Sequence, residues 1–370
     1  MIKTLHVKQF RVFNEKKIHL HRGINIILGK NGTGKTSLLE AVYFMNFSKS
    51  FKAPRDDDMI QIGKDFFQIY TEWEGEKYHC ASGNFLRKKG KRFIFDGEKL
   101  TRVSRVVGSF PMVFQSPEDF KVTGGPGAER RIYFDRIISQ VSGKYLHDMM
   151  QYRTVIKNRN AYLKQLYESK NYQYTEQLEI YDLQLIPLVC RIVDTRTQFI
   201  RLFNRHLNFL YETIFESGSG GKIHYRPSVE KKENSNNEQI IKEQAKKNIG
   251  KEISLRRTLW GPNYDKYIFC LNGIPLINYA SQGEHKIWMT LLKLAEGEII
   301  SALEKKEPIF LFDDLFAELD VNNSKRIVEN IMKKEQALIT TTDLNDVRRH
   351  GIDTNEKYIH VIEIRQPENS

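Results

Sequence analysis

The sequence lacks a hydrophobic run long enough to form a membrane-spanning helix, and it lacks a basic-then-apolar start of the kind that signal peptides have. It contains only three cysteines in 370 residues, namely Cys80, Cys190 and Cys270. They are far apart and show no Cys-x-x-Cys spacing, so neither a zinc site nor a disulfide framework is indicated. These absences predict a cytoplasmic protein with reduced thiols.

Acidic residues are fewer than basic ones, with 46 Asp and Glu against 58 Lys and Arg, which gives a net charge of +12. A basic balance suits a polyanionic partner, although a basic surface also serves solubility. Hydrophobic residues make up 40% of the chain and charged residues 28%, which is a globular composition. The length is sufficient for a full core and predicts two lobes.

Residues 29–36 fit the phosphate-loop pattern Gly-x-x-x-x-Gly-Lys-[Ser/Thr]. A predicted buried strand at residues 24–28 precedes the loop, and apolar residues at helical spacing follow it. In this setting backbone amides and the helix N-terminus hold phosphate, Lys35 reaches the β- and γ-phosphates, and Thr36 ligates Mg²⁺. The alternative is a chance glycine-rich turn that opens a helix. The predicted ATP-binding residues of the loop are Gly29, Lys30, Asn31, Gly32, Thr33, Gly34, Lys35 and Thr36.

Three further predicted strands end in polar side chains. The apolar run at residues 309–312 leads to Asp313, which would hold Mg²⁺ directly or through water, and Asp314, which would orient or deprotonate the attacking water. Gln115 ends a second strand, and it is either a loop cap or a contact to the Mg²⁺ and that water. Residues 340–343, Thr-Thr-Thr-Asp, end a third. Because parallel strands feed a nucleotide site from their carboxyl ends, we expect these groups to meet in one crevice.

The N-terminal region predicts an edge hairpin in which Leu5–Val7 and Ile24–Leu28 are joined through Phe10–Phe13. Arg11, just before the phosphate loop, is either an exposed cation or a contact to phosphate or adenine. Short alternating segments between residues 66 and 100 are separated by glycines and predict antiparallel hairpins. One turn, Arg87–Arg92, carries five cations in six residues, and it is either a solvated tip or a contact to the DNA backbone.

Residues 145–211 show long helical periodicity and predict a short antiparallel helical arm that turns near Ser169–Asn171, with a kink at Pro187. Its exposed cations Arg153, Lys157 and Arg159 are the second candidate contact to DNA. A break at Gly218–Gly221 and a mobile polar segment at Lys231–Asn237 are expected after the arm. The apolar stripe of the second helix is predicted at Leu178, Tyr181, Leu185, Leu188, Ile192, Thr195, Phe199, Leu202, His206 and Phe209.

Ser281-Gln282-Gly283-Glu284 opens a further predicted helix. Ser281 and the amide of Gly283 would form a second anion site at its N-terminus. The plainer interpretation is a capping box, since Ser281 is followed by Glu at the third position. Both can hold together.

With these motifs in place, the sequence resembles the ABC-type ATPase heads of the SMC group, and within it the DNA replication and repair branch. In that family two heads sandwich ATP, so the resemblance implies that Ser281, Gln282 and Gly283 contact the nucleotide of a partner chain. The resemblance rests on the phosphate loop and on Ser116–Asp119, Glu129–Arg131, Gly261–Pro262, Ser281–Gly283, Asp313–Asp314 with Glu318–Asp320, and Thr340–Asp343.

The resemblance also implies an ATP-dependent homodimer that binds single-strand/double-strand junctions in gapped DNA, associates with the nucleoid, and helps RecR and RecO to load RecA. It implies a weak, DNA-stimulated ATPase that serves as a switch. Three residues depart from the family pattern: Glu284 replaces a glutamine, Asp314 the usual catalytic glutamate, and Asp343 the switch histidine. The shorter base and the missing imidazole predict slow hydrolysis.

The predicted fold is an α/β ABC-type ATPase head, with a mixed sheet carrying the phosphate loop, a β-hairpin subregion, and an inserted antiparallel helical arm lobe. Its predicted parts are residues 1–115 of the ATPase lobe, the arm lobe at 116–260, and the rest of the ATPase lobe at 261–370. The alternatives are the ATPase subunit of a membrane transporter, an SMC-like structural filament, and a head fused to a nuclease. The short arm disfavours a filament, and the roughly 30 residues after Asp343 leave no room for a nuclease.

Overall fold

The structure is a computed structural model that describes residues 1–215, 220–229, 237–278, 280–318 and 321–365, with only the backbone at 215, 317, 318 and 321–324. Three sequence predictions fall wholly or partly outside these ranges. They are the break beginning at Gly218, the polar segment at residues 231–236, and Leu319 and Asp320 of the motif that follows the carboxylate pair.

The chain divides into two compact units. One comprises Met1–Gly124, Phe209–Gly218 and Ala280–Ser370, and the other comprises Gly125–Asn208 and Ser219–Tyr279. We refer to them as the nucleotide unit and the arm unit. The divisions predicted after residues 115 and 260 stay predictions.

The strands form three sheets. A five-stranded sheet has the order β14-β3-β13-β12-β8, a six-stranded sheet has the order β2-β1-β4-β5-β6-β7, and a three-stranded sheet has the order β11-β10-β9. The strand bounds are β1 Ile2–Phe10, β2 Phe13–His19, β3 Gly23–Leu28, β4 Phe66–Trp73, β5 Cys80–Leu86, β6 Gly90–Phe95, β7 Glu98–Lys99, β8 Met112–Gln115, β9 Gly221–Arg226, β10 Lys266–Leu271, β11 Ile274–Pro275, β12 Ile309–Phe312, β13 Gln336–Thr341 and β14 Ile359–Glu363.

The described helices range from short capping turns to a helix of 40 residues. None of them combines the length and the apolar character needed to cross a membrane. Their bounds are α1 Lys35–Phe47, α2 Phe120–Gly124, α3 Gly127–Val141, α4 Gly143–Glu168, α5 Glu176–Phe215, α6 Asn237–Lys247, α7 Ile249–Leu255, α8 Gln282–Glu304, α9 Leu315–Glu318, α10 Val321–Met332 and α11 Leu344–Arg349.

The five-stranded sheet is parallel throughout and positions the candidate site. Its strands β12 and β13 are buried along their whole length, as expected where both faces of a parallel sheet are covered. Their carboxyl ends and that of β3 lie at one edge, where Thr341 pairs with Leu28 and Phe312 with Gln115. The predicted convergence of polar strand ends is therefore confirmed. The α/β fold class is also confirmed, with parallel and antiparallel pairs in separate sheets.

The predicted pairing of the first hairpin is wrong. β1 pairs with β2, with Leu5 opposite Ile18, whereas Ile24–Leu28 belongs to β3 in the parallel sheet. The strand β2 lies at the sheet edge and carries Glu15, Lys16 and Lys17, so its apolar alternation is weak in the sequence. A fully apolar run such as β3 needs a sheet with both faces covered, which the edge of a hairpin does not provide.

The helices α4 and α5 are antiparallel, as predicted. Residues of α4 contact residues of α5 in reverse order, since Asp148 pairs with Arg191 and Arg159 pairs with Asp182. Pro187 lies inside α5. The predicted stripe of α5 fails towards its C-terminal end but is buried at Leu178, Leu185, Leu188, Ile192 and Phe199. Phe209 is 67% exposed, while the buried positions there are Phe203, Leu207, Leu210 and Ile214. A stripe spaced at 3.5 residues drifts off a face that repeats every 3.6.

Arg159 corrects the prediction of an exposed arm cation. Its side chain is fully buried and forms ion pairs of 2.8 Å with Asp182 and Glu252. Arg153 and Lys157 are exposed, as expected. Arg159 therefore joins α4, α5 and α7 and is not available to DNA.

Two of the motifs behind the family resemblance make contacts around Asp265, one through the buried Arg196 and the other through Arg131. Arg196 forms ion pairs with Asp135 at 2.7 Å and Asp265 at 2.6 Å, and it donates to the carbonyl of Pro262 at 2.8 Å. Arg131 donates to the carbonyl of Asp265 at 3.1 Å. The Gly261–Pro262 and Glu129–Arg131 motifs thus contribute to the interior of the arm unit.

Candidate functional site

The phosphate loop runs from the end of β3 to the start of α1. Gly34, which precedes the helix, has φ +99°, and a Cβ there would lie 2.4 Å from the Cζ of Phe13. Both the backbone and the packing therefore require glycine at this position. Lys35 is buried, and its Nζ donates to the carbonyls of Gly29 at 2.7 Å and Lys30 at 3.1 Å.

The electrostatics of Lys35 are set by two opposing causes. Burial lowers the pKa of its ammonium group, and the negative charges of Asp314 and Asp313 act against that shift. Lys35 lies about 280 positions before the adjacent residues Asp313 and Asp314 in the sequence, and the fold brings the three side chains together. The loop therefore presents a partly desolvated cation beside two carboxylates.

Asp313 is the centre of the hydrogen bonds at this edge of the sheet. Its carboxylate accepts from the Thr36 hydroxyl, with both oxygens at 3.0 Å, and from the Thr340 hydroxyl at 2.7 Å. Its backbone amide donates to the carbonyl of Gln115 at 2.9 Å. Through its carboxylate and its amide, Asp313 at the end of β12 thus joins the start of α1 to the ends of β13 and β8.

Asp314 follows with a left-handed backbone, at φ +56°, which is uncommon for a residue with a side chain. Its amide donates to Thr340 Oγ1 at 2.9 Å. Thr340 therefore holds both carboxylate residues in place. The sequence indicated only a polar end for β13 and gave Thr340 no role of its own.

Gln115 ends β8, as predicted, and its side chain is directed towards helix α8. Its Nε2 donates to Thr290 Oγ1 at 3.2 Å. Its Oε1 is buried and has no hydrogen-bond partner among the described residues. An orphaned buried acceptor carries a desolvation penalty until a donor or a cation reaches it.

The turn after Gln115 makes a second contact with α8. Ser116 and Asp119 form a reciprocal capping box. Asp119 also lies 3.4 Å from the buried Nζ of Lys293 in α8. Two polar contacts, through Gln115 and Asp119, therefore connect the strand end at the nucleotide site to α8.

The start of α8 is a capping box around Ser281. Ser281 Oγ donates to a Glu284 carboxylate oxygen at 2.8 Å, the Ser281 amide donates to the same oxygen at 2.7 Å, and the Glu284 amide donates back to Ser281 Oγ at 3.2 Å. Hydrogen bonds from the backbone and side chain of Ser281 lower the pKa of Glu284. A Cβ at Gly283 would find no neighbouring atom closer than 4.0 Å, so packing does not require glycine there.

The predicted nucleotide-binding residues form two groups that are not connected to each other by the described hydrogen bonds or ion pairs. None of the described hydrogen bonds or ion pairs joins Ser281, Gln282 or Gly283 to residues 29–36. The phosphate loop contacts Asp313 and the strand ends, whereas the described hydrogen bonds of the Ser281 side chain are those of its own capping box with Glu284. A single chain of this fold therefore presents two separate candidate anion sites.

Arg11 lies close to α1 with its guanidinium engaged. It donates to both carboxylate oxygens of Glu40, at 2.7 and 2.5 Å, and to the carbonyl of Asp58 at 2.5 Å. Glu40 is almost fully buried. Arg11 thus pairs with Glu40 of α1, a partner that the sequence did not indicate. The phosphate or adenine contact of Arg11 stays a prediction.

Asp343 caps a helix. Its carboxylate accepts from the Asn345 amide at 2.8 Å at the start of α11. Helix capping therefore gives Asp343 a structural role at the position where the resemblance implied a switch histidine.

The basic turn at Arg87–Arg92 is less free than its sequence suggests. Arg87 lies 3.8 Å from Asp57 and 3.7 Å from Asp65, and Lys91 pairs with Asp56 at 2.9 Å. Only Lys88, Lys89 and Arg92 of the five cations are exposed without such an ion pair among the described residues.

Comparison with known proteins agrees with this arrangement. Residues 1–365 match the family model described as the RecF/RecN/SMC N terminal domain. The DNA replication and repair protein RecF of Chloroherpeton thalassium is 34% identical, over 94% of this chain and 97% of that protein. The RecF of a Geobacillus species is 32% identical, over 93% and 92%.

Solved structures of RecF have the same fold. The recombination mediator protein RecF with ATPrS, of the RecFOR pathway, superposes with a TM-score of 0.86 at 25% identity and covers 99% of this chain and 96% of its own. RecF with ATP, of the same pathway, superposes at 0.84 with 27% identity, over 92% of each chain. By sequence over nearly the whole chain and by fold, the protein belongs to the RecF/RecN/SMC family and, within it, to the RecF group of DNA replication and repair proteins.

Proposed function

We propose that this protein is an ATP-controlled DNA clamp. In this account it binds ATP and Mg²⁺ at residues 29–36, dimerises on ATP, and binds single-strand/double-strand junctions at gaps. There it helps to load RecA together with RecR and RecO. The observation that carries the proposal is the cluster of Lys35, Thr36, Asp313 and Thr340 at the carboxyl ends of the parallel sheet.

ATP is the nucleotide that the loop fits. The β- and γ-phosphates can bind to the backbone amides of the loop, to the N-terminus of α1 and to Lys35. Lys35 now donates to two loop carbonyls, and it would exchange them for phosphate oxygens, which make stronger charge-assisted hydrogen bonds. Two solved RecF structures that are named with ATP and ATPrS support the same choice.

Mg²⁺ fits the residues that are present. A site of this type supplies one or two oxygen ligands, and the phosphates and water supply the rest. Thr36 and Asp313 are two such oxygen donors, already 3.0 Å apart. The described residues contain no group of three His, Cys, Asp or Glu that would form an all-protein cage. Bound there, Mg²⁺ would neutralise charge that develops on the phosphates.

Individual residues of the chain have separate roles in the proposed hydrolysis of ATP. Asp314 orients or deprotonates the attacking water, Lys35 stabilises the negative charge of the transferred phosphoryl group, and Thr340 holds both aspartates in position. The buried acceptor Oε1 of Gln115 is available to the same water or to a metal-bound water. Because Asp314 is shorter than a glutamate and Asp343 is a helix cap, hydrolysis is expected to be slow, which suits a timer.

Dimerisation follows from the two separate anion sites on one chain. One γ-phosphate can satisfy both sites if the loop of one chain faces Ser281, Gln282 and Gly283 of a second, and symmetry makes two such composite sites. The open space at Gly283 leaves room for the approach. The ionised Glu284 must give up the Ser281 hydroxyl when phosphate arrives.

The most similar relatives reported above disfavour the transporter subunit and the SMC-like filament, because they are named for DNA replication and repair. A membrane protein that co-purifies with the chain in a stoichiometric complex would favour the transporter again. The general test is light scattering with ATP and with ADP, in the presence and absence of gapped duplex. Mass that does not respond to nucleotide would contradict the proposal.

Lys35→Ala is expected to weaken ATP binding by about ten- to a hundredfold or more, because charge-assisted hydrogen bonds contribute about 1.5–3 kcal/mol each. Isothermal titration with ATP and Mg²⁺ measures the effect. Lys30→Ala is the matched control, since Lys30 is exposed in the same loop and offers its backbone. Parental affinity in a folded Lys35→Ala protein would exclude this loop as the phosphate site.

Asp314→Asn is expected to keep ATP binding and to slow hydrolysis by about 10²–10⁴-fold, the usual contribution of a general base. Asparagine tolerates the left-handed backbone at this position, so the fold is preserved. Single-turnover hydrolysis measures the rate. Asp313→Asn serves as the contrast, since it is expected to lose Mg²⁺-dependent binding. An unchanged rate in Asp314→Asn would remove the residue from the reaction.

Ser281→Arg is expected to abolish ATP-dependent dimerisation while each monomer still binds ATP. The reason is that the long arginine side chain would occupy the place of the γ-phosphate bound by the partner chain. Light scattering and nucleotide titration separate the two effects. Glu284→Gln is the matched variant: it keeps a capping box, removes the competing charge, and should dimerise at lower ATP concentration. A Ser281→Arg protein that dimerises like the parent would rule out the sandwich.

A further inference from the structure

The end of the helical arm carries exposed aromatic rings beside exposed cations. We call the arm-tip surface the six residues Tyr167, Tyr172, Lys246, Lys247, Arg256 and Arg257. They come from the C-terminal end of α4, the turn that follows it, the C-terminal end of α6, and the residues just after α7. All six are exposed and all belong to the arm unit.

Two of the four cations lie over aromatic rings. The guanidinium of Arg256 lies 5.2 Å from the centre of the Tyr167 ring, and the ring of Tyr172 meets Tyr167 edge-on at 6.5 Å. The ammonium group of Lys246 lies 5.1 Å from the centre of the Tyr174 ring. Such pairs keep the cations close to the aromatic surface. Tyr167 and Tyr172 nevertheless stay 39% and 45% exposed.

The cations of this surface form no direct ion pair among the described residues, although Glu179, which pairs with Lys242, is close enough to Lys246 for Lys242 and Lys246 together to lower its pKa. Among the residues that the structure describes, no carboxylate oxygen forms an ion pair with Lys246, Lys247, Arg256 or Arg257. The basic turn at residues 87–92 differs, since Arg87 and Lys91 are both paired there. The arm-tip surface therefore has more unpaired positive charge than the turn that the sequence singled out.

The surface rests on a rigid support. Buried Arg159 connects α4 to α5 through Asp182 and to α7 through Glu252. Leu163, Leu166, Leu178 and Ile253 form a small apolar core under the same helices. This arrangement holds together the helices that carry the surface, so less of the backbone has to be ordered when a ligand binds.

We infer that the arm-tip surface binds a single-stranded nucleic acid, with Tyr167 and Tyr172 stacking on bases and the four cations contacting phosphates. Aromatic rings within a basic surface are the usual features of single-strand binding, because every base has a face to stack. A duplex keeps its bases stacked inside and offers only phosphates, so the rings would have no partner. The inference rests on the proposed DNA-binding function and assigns the single-stranded side of a gap to the arm unit.

The test is fluorescence anisotropy of the full chain with labelled oligo(dT) of about 12 nucleotides, within the usual site size. Tyr167→Ala with Tyr172→Ala is expected to weaken binding at least about fivefold, from stacking energies of about 1–3 kcal/mol per base, and to leave the salt dependence unchanged. Tyr358→Ala, another tyrosine that is 45% exposed, is the matched control and should bind like the parent. An abasic oligomer of the same length should bind the parent as weakly as oligo(dT) binds the double variant.

The charge contribution is tested separately. Lys246→Ser with Lys247→Ser is expected to flatten the log–log salt slope by about 1.4, at about 0.7 per single-strand contact. Lys16→Ser with Lys17→Ser, a lysine pair on β2, removes the same charge elsewhere and should not change the slope. Thermal unfolding checks the fold of each variant. If the double tyrosine variant is unstable, Tyr172→Ala alone tests the stack, because its only described ring contact is with Tyr167.

Three results would overturn the inference. They are parental oligo(dT) affinity in the folded tyrosine variants, no oligo(dT) binding by the parent, and equal binding of polyglutamate with equal sensitivity to the tyrosine changes, which would assign the surface to an acidic protein. Gapped-duplex binding with ATP and with ADP is measured in parallel. If ATP has no effect there but the arm-tip variants lose oligo(dT), the proposed switch fails and the arm-tip site stands.

Discussion

The nucleotide unit depends on the hydrogen bonds of one carboxylate. Asp313 receives the hydroxyls of Thr36 and Thr340 and donates its amide to Gln115, so it joins the first helix to three strand ends. Asp313 is half-buried, and a carboxylate that is partly removed from water is stabilised by such donors or by a cation. In the proposed function Thr36 and Asp313 would hold Mg²⁺, and the bonds of Asp313 and Thr340 keep Asp314 and Gln115 close to that site.

The connection from that carboxylate to α8 gives the proposed switch a physical route. The carbonyl of Gln115 accepts from the amide of Asp313, and the side chain of Gln115 donates to Thr290 of α8. In the turn that follows, Asp119 forms an ion pair with Lys293 of α8. A change at the end of β8 therefore acts on the helix whose N-terminus would face the partner's nucleotide. In this account binding at one anion site and presentation of the other are coupled within a single chain.

Much of the fold and of the site followed from local sequence. The phosphate loop, Asp313, Asp314 and the strand before them are contiguous patterns whose chemistry is specific, and parallel strands bring them to one edge. The pairing of β2, the pairing of Arg11 with Glu40, and the role of Thr340 did not follow. Each depends on a partner that is distant in sequence and is of an ordinary residue type.

The arm unit also contains a contact that depends on partners distant in sequence. Helical periodicity identified α4 and α5, but it did not distinguish buried Arg159 from its exposed neighbours, because the acids that neutralise it come from α5 and α7. Charge counting likewise favoured the turn at residues 87–92, where Asp56, Asp57 and Asp65 cancel part of the charge. Net charge along a sequence therefore located basic segments without showing which of them are free.

The central claim is that ATP closes two heads and thereby creates a larger DNA-binding surface. The most direct measurement is the anisotropy of a labelled gapped duplex, titrated with the parent chain at several salt concentrations with ATP and with ADP. The account predicts tighter binding and a steeper log–log salt slope with ATP, by about 0.9 for each additional duplex phosphate contacted. Equal affinities and equal slopes with the two nucleotides would contradict it.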